Sequence, residues 1–453
     1  MKWLLAFFCA AASLAAEKPN IVYIISDDQT YTDFGFMGHP LVETPNLDRL
    51  AEQSLLFENG YVPTSVCRPS LVTLLTGLYP HENGVYFNHP PPGFSKLTKS
   101  REMIKVRFDE LREVAAQQIK LQPTLPRLLA KNGYRSLQTG KYWEGHFSNA
   151  GFTEGMTLAQ PSSAKNGNKT LRNGDVVGHG NGDAGLAIGR ETMEPIWNFI
   201  DDCKTNDDPF LLWYAPFLPH TPHDSPEKFW DIYRDKKGVA EHEISYFASI
   251  SQFDETVGQL IDFVEKRGLA ANTIFAFVVD NGYQPHVGKP NQHTKNSKRA
   301  PFDFGLRTPI SIRWDGHVKP EKRDELVNSI DLMPTLLKMT RTPVPPSLPG
   351  LDLLSEQPNN RTIFGEVYPG DASSLRKPER DIAYRWARHG NFKLIIPHSH
   401  NGKPPWGNYL VKPALFNVAD DPAETKNLIS TDNGKSRAAD LRAQLDAWWN
   451  PLN

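Results

Sequence analysis

The order of elements in the sequence predicts an α/β fold: a mostly parallel central sheet flanked by helices, with a smaller α+β portion at the C-terminal end. Two observations carry that expectation. Short runs rich in Ile, Val and aromatic residues alternate with helix-patterned segments, as in a doubly wound sheet. Residues 20–26 (NIVYIIS), 210–216 (FLLWYAP) and 273–279 (TIFAFVV) are apolar on both parities, which suits strands buried on both faces.

From the N-terminus, residues 1–16 read as an export signal. Lys2 is positively charged, residues 3–14 are apolar but too few to span a bilayer, and small residues surround position 15. The remaining chain is expected outside the cytoplasm, periplasmic or secreted, with no membrane span. Cys9 would leave with the signal. Of the other two cysteines, Cys203 is placed in a helix-to-strand connection and Cys67 at a helix start. Two cysteines do not make a disulfide framework.

Residues 46–52 read as a helix begun by Thr44-Pro45, and residues 64–77 as a loop followed by a short helix with Pro69 in its first turn and Gly77 as its stop. Residues 95–118 look like a charged, helix-prone surface insertion. A helix at 123–132 and a strand at 134–139 lead into Gly140-Lys141. Residues 162–189 are rich in Gly, Asn and Ser and read as a long loop. Helices follow at 191–204, 244–267 and 329–339, and a further strand at 309–314. Composition shifts near the prolines of 343–349. Beyond them, 383–397 reads as a hairpin turning at Gly390-Asn391, and 435–449 as a final helix. The expected organisation is a signal at 1–16, a catalytic domain at 17–345, and a smaller C-terminal domain at 346–453 with an antiparallel sheet and a terminal helix.

The chain has 453 residues, 23% of them charged, with a formal net charge of −2. Such a balance gives no electrostatic reason to expect a nucleic-acid partner. The 37 prolines and 32 glycines point instead to shaped loops, where sites are usually carried.

Two apolar strands end in acidic or amide pairs: Asp27-Asp28 and Asp280-Asn281. In an open parallel sheet ligands bind beyond the carboxyl ends of the strands, so the pairs would meet at one edge. Their donors are all oxygen, which suits a hard divalent cation, calcium or magnesium. Either pair alone more often caps a helix or makes a turn; the metal reading rests on the two together. Cys67, at a helix N-terminus, would have a lowered pKa and could act as a nucleophile. Lys141, His220 and Lys298 lie in loops after or near strands and could neutralise an anionic substrate beside a metal.

These motifs, taken in order, resemble the type I sulfatases of the alkaline-phosphatase superfamily. The match includes Asp27-Asp28 with Asp33 and Gly35, Cys67-x-Pro69-Ser70 running to Leu75-Thr76-Gly77, and Gly140-Lys141. It continues through Pro219-His220-x-Pro222, Asp280-Asn281-Gly282, Lys298 and Gly305-Leu306-Arg307-Thr308-Pro309. It closes with Asp331-Leu332-Met333-Pro334-Thr335 and the tail from Leu415 to Leu428. Each motif alone is weak; the ordered set is specific.

The resemblance implies an alkaline-phosphatase-like fold and a sulfuric ester hydrolase releasing sulfate from a sulfated glycan or related ester. It implies one calcium ion held at Asp27, Asp28, Asp280 and Asn281, and formylglycine at Cys67, made by a formylglycine-generating maturation enzyme. Lys141, His220 and Lys298 match the family's sulfate-contacting groups. Two positions depart from the pattern: Leu71 stands where the family has Arg, and Trp143 where it usually has His, with His146 nearby but out of register. The alternatives are a phosphate or phosphonate ester hydrolase on the same fold, and a catalytically silent homologue that binds sulfated glycans.

Overall fold

Apolarity on both parities has the expected consequence: every residue of Asn20–Ser26 and Thr273–Val279 is buried. A computed structural model describes residues 18–159, 168–178, 183–289, 291–356, 358, 360–400 and 402–452. The expected export segment, Cys9 and part of the 162–189 loop lie outside the described residues. Strands are numbered in chain order: β1 (Asn20–Ser26), β2 (Leu55–Tyr61), β3 (Arg135–Gly140), β4 (Glu154–Gly155), β5 (Asn168–Thr170), β6 (Val176–Gly178), β7 (Phe210–Ala215), β8 (Thr273–Val279), β9 (Arg307–Arg313), β10 (Glu321–Arg323), β11 (Val327–Asn328), β12 (Thr362–Val367), β13 (Tyr384–His389), β14 (Phe392–Pro397) and β15 (Ala414–Asn417).

The large sheet runs β10-β2-β9-β8-β1-β7-β3-β4, with β11 also on β2. Its central pairs β8–β1, β1–β7 and β7–β3 are parallel. β9 is antiparallel to both β8 and β2, so the sheet is mostly parallel, as expected. One face packs on the helices Cys67–Thr76 and Leu332–Met339 through Leu71, Leu74, Leu75, Met333 and Leu336. The other packs on the helices Pro45–Glu52, Glu194–Asn206 and Glu241–Lys266 through Leu47, Ile200, Phe253 and Val257. Helices on both faces of a parallel sheet complete the layered α/β arrangement.

The second sheet, β12-β13-β14-β15, is antiparallel throughout. Its β13–β14 hairpin turns at Gly390-Asn391, and the helix Asp432–Trp448 covers one side through Leu441 and Leu445.

Several boundaries differ from expectation. The sequence does not predict strand β2: Leu55–Tyr61 carries Glu-Asn-Gly before its last residue, and its ladder with β9 breaks register between Phe57 and Gly60. At Gly60 a Cβ would lie 2.5 Å from the Thr308 carbonyl oxygen, so the bulge needs glycine. The 95–118 insertion forms the helix Lys105–Ala116, with Phe108 and Ala115 buried and one face solvated. Cys203 lies on the buried face of the helix Glu194–Asn206, not in the connection after it. Both Cys67 and Cys203 are free thiols. Among the described residues no helix is long and apolar enough to cross a membrane.

Candidate active site at the carboxyl edge of the sheet

Parallel pairing of β1 with β8 sets Ser26 against Val279. The residues that follow, Asp27-Asp28 and Asp280-Asn281, therefore leave the sheet side by side. The Asp28 N–H donates to Asp280 Oδ1 (3.0 Å), and Asn281 Nδ2 donates to Asp28 Oδ1 (2.7 Å). Asp28 reaches this position with a φ of 65°, the left-handed region that Asp tolerates better than most residues.

Neighbouring strands supply the cations. β3 ends at Gly140, where a Cβ would lie 1.9 Å from the Ala215 carbonyl oxygen. Glycine thus permits the close turn that brings Lys141 Nζ to 2.8 Å from both carboxylate oxygens of Asp27. His220 follows β7, and Lys298 lies in the segment between β8 and β9. Lys298 Nζ is 2.5 Å from Asp28 Oδ2 and 3.2 Å from His220 Nε2. His220 Nδ1 is 2.6 Å from the Thr221 carbonyl oxygen. A carbonyl accepts only, so Nδ1 carries the proton and Nε2 offers its lone pair to Lys298.

Cys67 opens the helix Cys67–Thr76, and its Sγ lies 3.9 Å from Asp27 Oδ1 and from Asp28 Oδ1. The expected lowering of its pKa is overturned. Burial pushes the thiol well above its usual value; Lys141 and Lys298 pull it down, while Asp280 and Asp28 add to the rise. A helix terminus lowers a thiol pKa by solvating negative charge; this thiol instead faces carboxylates in a closed site.

The electrostatics are those of crowded anions. Burial pushes Asp27 and Asp280 above the ordinary carboxylate range, and mutual repulsion among Asp27, Asp28 and Asp280 adds to it. Asp28 is equally buried, yet the charges of Lys298 and Lys141 and the Lys298 hydrogen bond hold it low. Asp27 keeps Lys141 charged against burial, and Asp28 does the same for Lys298. Burial and the two lysines hold His220 neutral.

Ligand atoms of Asp27, Asp28, Cys67 and His220 lie within 4.8 Å of one another. Asp280 falls outside that group but is bonded to Asp28. Asp280 Oδ2 and Asn281 Oδ1 are buried without a hydrogen-bond partner. Two unpartnered oxygens, one an anion, beside two further carboxylates are what a bound divalent cation would satisfy. The residues present fit such an ion.

The two departures from the family pattern are both buried: Leu71 and Trp143 belong to the same extended apolar cluster on one face of the large sheet. His146 does not replace the missing imidazole: it faces Ser148, whose Oγ is 2.8 Å from its Nδ1. Two residues that sequence reasoning left without a role, Arg68 and Glu144, form a buried ion pair beside Cys67 and Trp143. The only signal available was position, each being adjacent in sequence to a residue of interest.

A family model described as Sulfatase matches residues 19–342, and one described as N-sulphoglucosamine sulphohydrolase, C-terminal, matches residues 291–450. Arylsulfatase A of Bos taurus is 29% identical, covering 98% of this chain and 92% of the relative. N-acetylgalactosamine-6-sulfatase of Mus musculus is 30% identical over 76% of this chain and 67% of the relative. The Ulvan-active sulfatase of Formosa agariphila is 22% identical over 96% and 81%. Among solved structures, Ps i-CgsB in complex with k-i-k-neocarrahexaose superposes with a TM-score of 0.67 at 22% identity, over 96% of this chain and 93% of that one. The phosphonate monoester hydrolase of Agrobacterium radiobacter does so with a TM-score of 0.64 at 17% identity, over 95% of each chain. The last two likenesses concern the fold.

Proposed function

Because the chain belongs to the sulfatase family, with the family model covering residues 19–342, we propose that it hydrolyses sulfate monoesters of a sulfated glycan. The observation that carries this reading is the cation clamp on one edge of the oxygen cluster. Lys141, Lys298 and His220 converge with Asp27 and Asp28 on the mouth of Cys67. We assign Asp27, Asp28, Asp280 and Asn281 as the ligands of one calcium ion, which would supply Lewis-acid withdrawal of charge from the sulfate group.

The buried thiol is a poor nucleophile as it stands. Formylglycine at position 67, made by a maturation enzyme, would supply as its hydrate the oxygen nucleophile that a neutral thiol does not. Lys141 and Lys298 would then hold the sulfate oxygens and offset charge as it develops on them. With Nδ1–H committed to Thr221, the Nε2 lone pair of His220 can accept a proton from the attacking hydroxyl once Lys298 turns from it to the departing alkoxide, to which Lys298 can pass a proton. The burial of Asp27, Asp28 and Lys141 excludes water from competing hydrogen bonds.

The catalytic unit is assigned to residues 17–345 and the smaller unit to residues 346–453. Export to the periplasm or the medium rests on the signal-like residues 1–16.

The test has two parts. Mass spectrometry of the peptide containing Cys67, from the native host, should show loss of the thiol and gain of an aldehyde. Paired aryl sulfate and aryl phosphate substrates should release sulfate in preference to phosphate. An unmodified cysteine in protein that still cleaves esters would remove the formylglycine assignment. Preferential release of phosphate would remove the sulfatase reading.

A further inference from the structure

The tail motif Asp421-Pro422-x-Glu424-x-x-Asn427 has no part in the chemistry above, yet its residues fold a defined turn. Asp421 Oδ2 accepts the N–H groups of Thr425 (2.8 Å) and Lys426 (2.7 Å), and the Glu424 N–H donates to the Asp421 carbonyl (3.0 Å). Asn427 Oδ1 accepts the Leu415 N–H (3.1 Å), which fixes the turn to β15. Asp and Asn suit these places because a short polar side chain can stand in for a backbone acceptor. Between them Glu424 has a φ of 53°, a left-handed conformation uncommon for a residue with a Cβ. Its side chain is fully buried. A carboxyl turned inward from a turn needs partners inside.

Those partners are Asp303 and Lys393. Glu424 Oε2 accepts the Asp303 N–H (2.5 Å), and Lys393 Nζ, from β14, lies 2.9 Å from Glu424 Oε1 and 2.6 Å from Asp303 Oδ1. Asp303 Oδ2 accepts from the hydroxyl of Tyr61 at the end of β2 (2.5 Å), and that hydroxyl accepts in turn from Arg388. Burial raises Asp303, but Lys393 and Arg388 outweigh it and hold the carboxyl below its usual value. Burial and the charge of Asp303 push Glu424 up to about 7 against the pull of Lys393. A buried cluster of this kind contributes little net stability. It does hold its members in one arrangement, because moving any of them strands a buried charge.

Asp303 lies five residues after Lys298. Between them the Arg299 N–H donates to the Ser65 carbonyl (2.9 Å) and the Ala300 N–H to the Ser297 carbonyl (3.0 Å). Just beyond Asp303, Thr30 Oγ1 donates to the Phe304 carbonyl (3.4 Å) and the Gly282 N–H to the Gly305 carbonyl (3.0 Å). A Cβ at Gly282 would lie 1.9 Å from the Phe304 carbonyl oxygen. The segment from Lys298 to Gly305 therefore runs pressed against the residues that follow Asp27-Asp28 and Asp280-Asn281. Each of these bonds is a single neutral one; the charged anchor of the segment is Asp303, and it is held by the second sheet and the tail.

We infer that Glu424 and Lys393 are positioning residues for Lys298: through Asp303, the tail turn and β14 set where the ammonium of the clamp stands. This inference rests on the sulfatase reading for the role of Lys298 and adds to it two residues outside the large sheet. Neither touches the sulfate.

Glu424→Ala removes the acceptor of the Asp303 N–H, and Glu424→Gln keeps it. Glu424→Ala is expected to lower kcat/KM by about tenfold to a hundredfold, the scale of a displacement of about 1 Å at a reacting group, and Glu424→Gln to restore most of it. Lys298→Ala gives the loss when the ammonium is absent. Adding Glu424→Ala to Lys298→Ala should then lower kcat/KM no further, because residues acting on one group do not add. If Glu424→Ala does not fold, Glu424→Gln with Lys393→Met takes its place in the same cycle with the same expectation, since it removes one charge of each sign. All assays are run below the lowest melting temperature of the set. The inference is overturned if the two losses multiply, or if the melting temperature falls while kcat/KM stays at the wild-type value.

The cycle uses whichever ester the wild type cleaves, an aryl sulfate or an aryl phosphate. Preference for the phosphate removes the sulfatase reading, and the cycle still decides the role of Glu424. If neither ester is cleaved, the same four proteins are compared calorimetrically for binding of inorganic sulfate. A loss of affinity in Glu424→Ala that disappears in the Lys298→Ala background leaves the inference standing without the sulfatase reading. A wild type that binds no anion overturns both.

Discussion

Arg68 and Glu144 form two parallel hydrogen bonds, Nε to Oε1 at 2.6 Å and Nη2 to Oε2 at 2.7 Å, with both side chains all but sealed from solvent. Arg68 Nη2 also donates to the Ala115 carbonyl (3.2 Å), and the Arg68 N–H donates to Asn88 Oδ1 (3.0 Å). One pair thus ties the start of the Cys67 helix to the loop that carries Lys141 and to the surface insertion. A desolvated bidentate pair contributes little net stability, but removing one partner leaves a buried charge uncompensated. Arg68→Met should therefore cost about 3–5 kcal/mol, measured by urea unfolding. Arg68→Met combined with Glu144→Leu should recover most of that loss. Equal destabilisation in the single and double variants would show that the pair itself, not the orphaned charge, holds this corner.

The crowded carboxylates give a second expectation. A divalent ion that binds only the folded chain stabilises it by about 2.7 kcal/mol at a concentration one hundred times its Kd. Calcium should raise the melting temperature of chelator-stripped protein, and excess chelator should reverse the rise. Asp280→Ala removes the unpartnered Oδ2 and should weaken or abolish the calcium-dependent shift. It also relieves repulsion with Asp28 but strands the buried Asp28 N–H that Oδ1 accepts, so the two effects oppose each other in the metal-free protein. A calcium shift retained at full size in Asp280→Ala would remove Asp280 from the ligand set.

Much of this site was legible because it sits on strands whose apolar runs have no alternative reading. Residues 20–26 and 273–279 match β1 and β8 end to end, and strand ends then place Asp27, Asp28, Asp280 and Asn281 without further information. What could not be read depends on contacts across many residues. The Arg68–Glu144 pair spans 76 positions and has no local pattern. The raised Cys67 pKa depends on how completely the site closes, which a helix-terminus argument does not contain. Strand β2 was missed because its bulge interrupts the periodicity by which strands are recognised.

A pH-dependent contact fastens the end of the chain. His81 Nδ1 lies 3.1 Å from both Glu366 oxygens, its ring stacks on Trp449 at 4.5 Å between centroids, and Trp448 meets it edge-on at 4.9 Å. Burial lowers the His81 pKa, but Glu366 more than offsets it, and the net direction is upward. For a histidine raised on folding, the stabilisation is complete below the unfolded value of about 6.5 and is lost as pH rises through the higher folded value. Tryptophan fluorescence and melting temperature should therefore both report loosening of the C-terminal helix above neutrality. Glu366→Gln should flatten that dependence. A wild-type melting temperature that rises through the same window would contradict the assignment.

Leu71 and Trp143 share one apolar cluster, so the two departures from the family pattern are expected to behave as a unit. Leu71→Arg alone would bury a guanidinium in this apolar cluster, and Glu144 is already taken by Arg68. A buried charge without a partner is among the costliest single changes. Trp143→His alone leaves a cavity and should cost about 3–5 kcal/mol, as large aromatic truncations do. If the family's Arg and His need each other, the double variant Leu71→Arg with Trp143→His should be less destabilised than the sum of the singles. A double-mutant cycle by denaturant unfolding measures the coupling directly. Strict additivity would show that the two positions were substituted independently and that the cluster tolerates each change on its own terms.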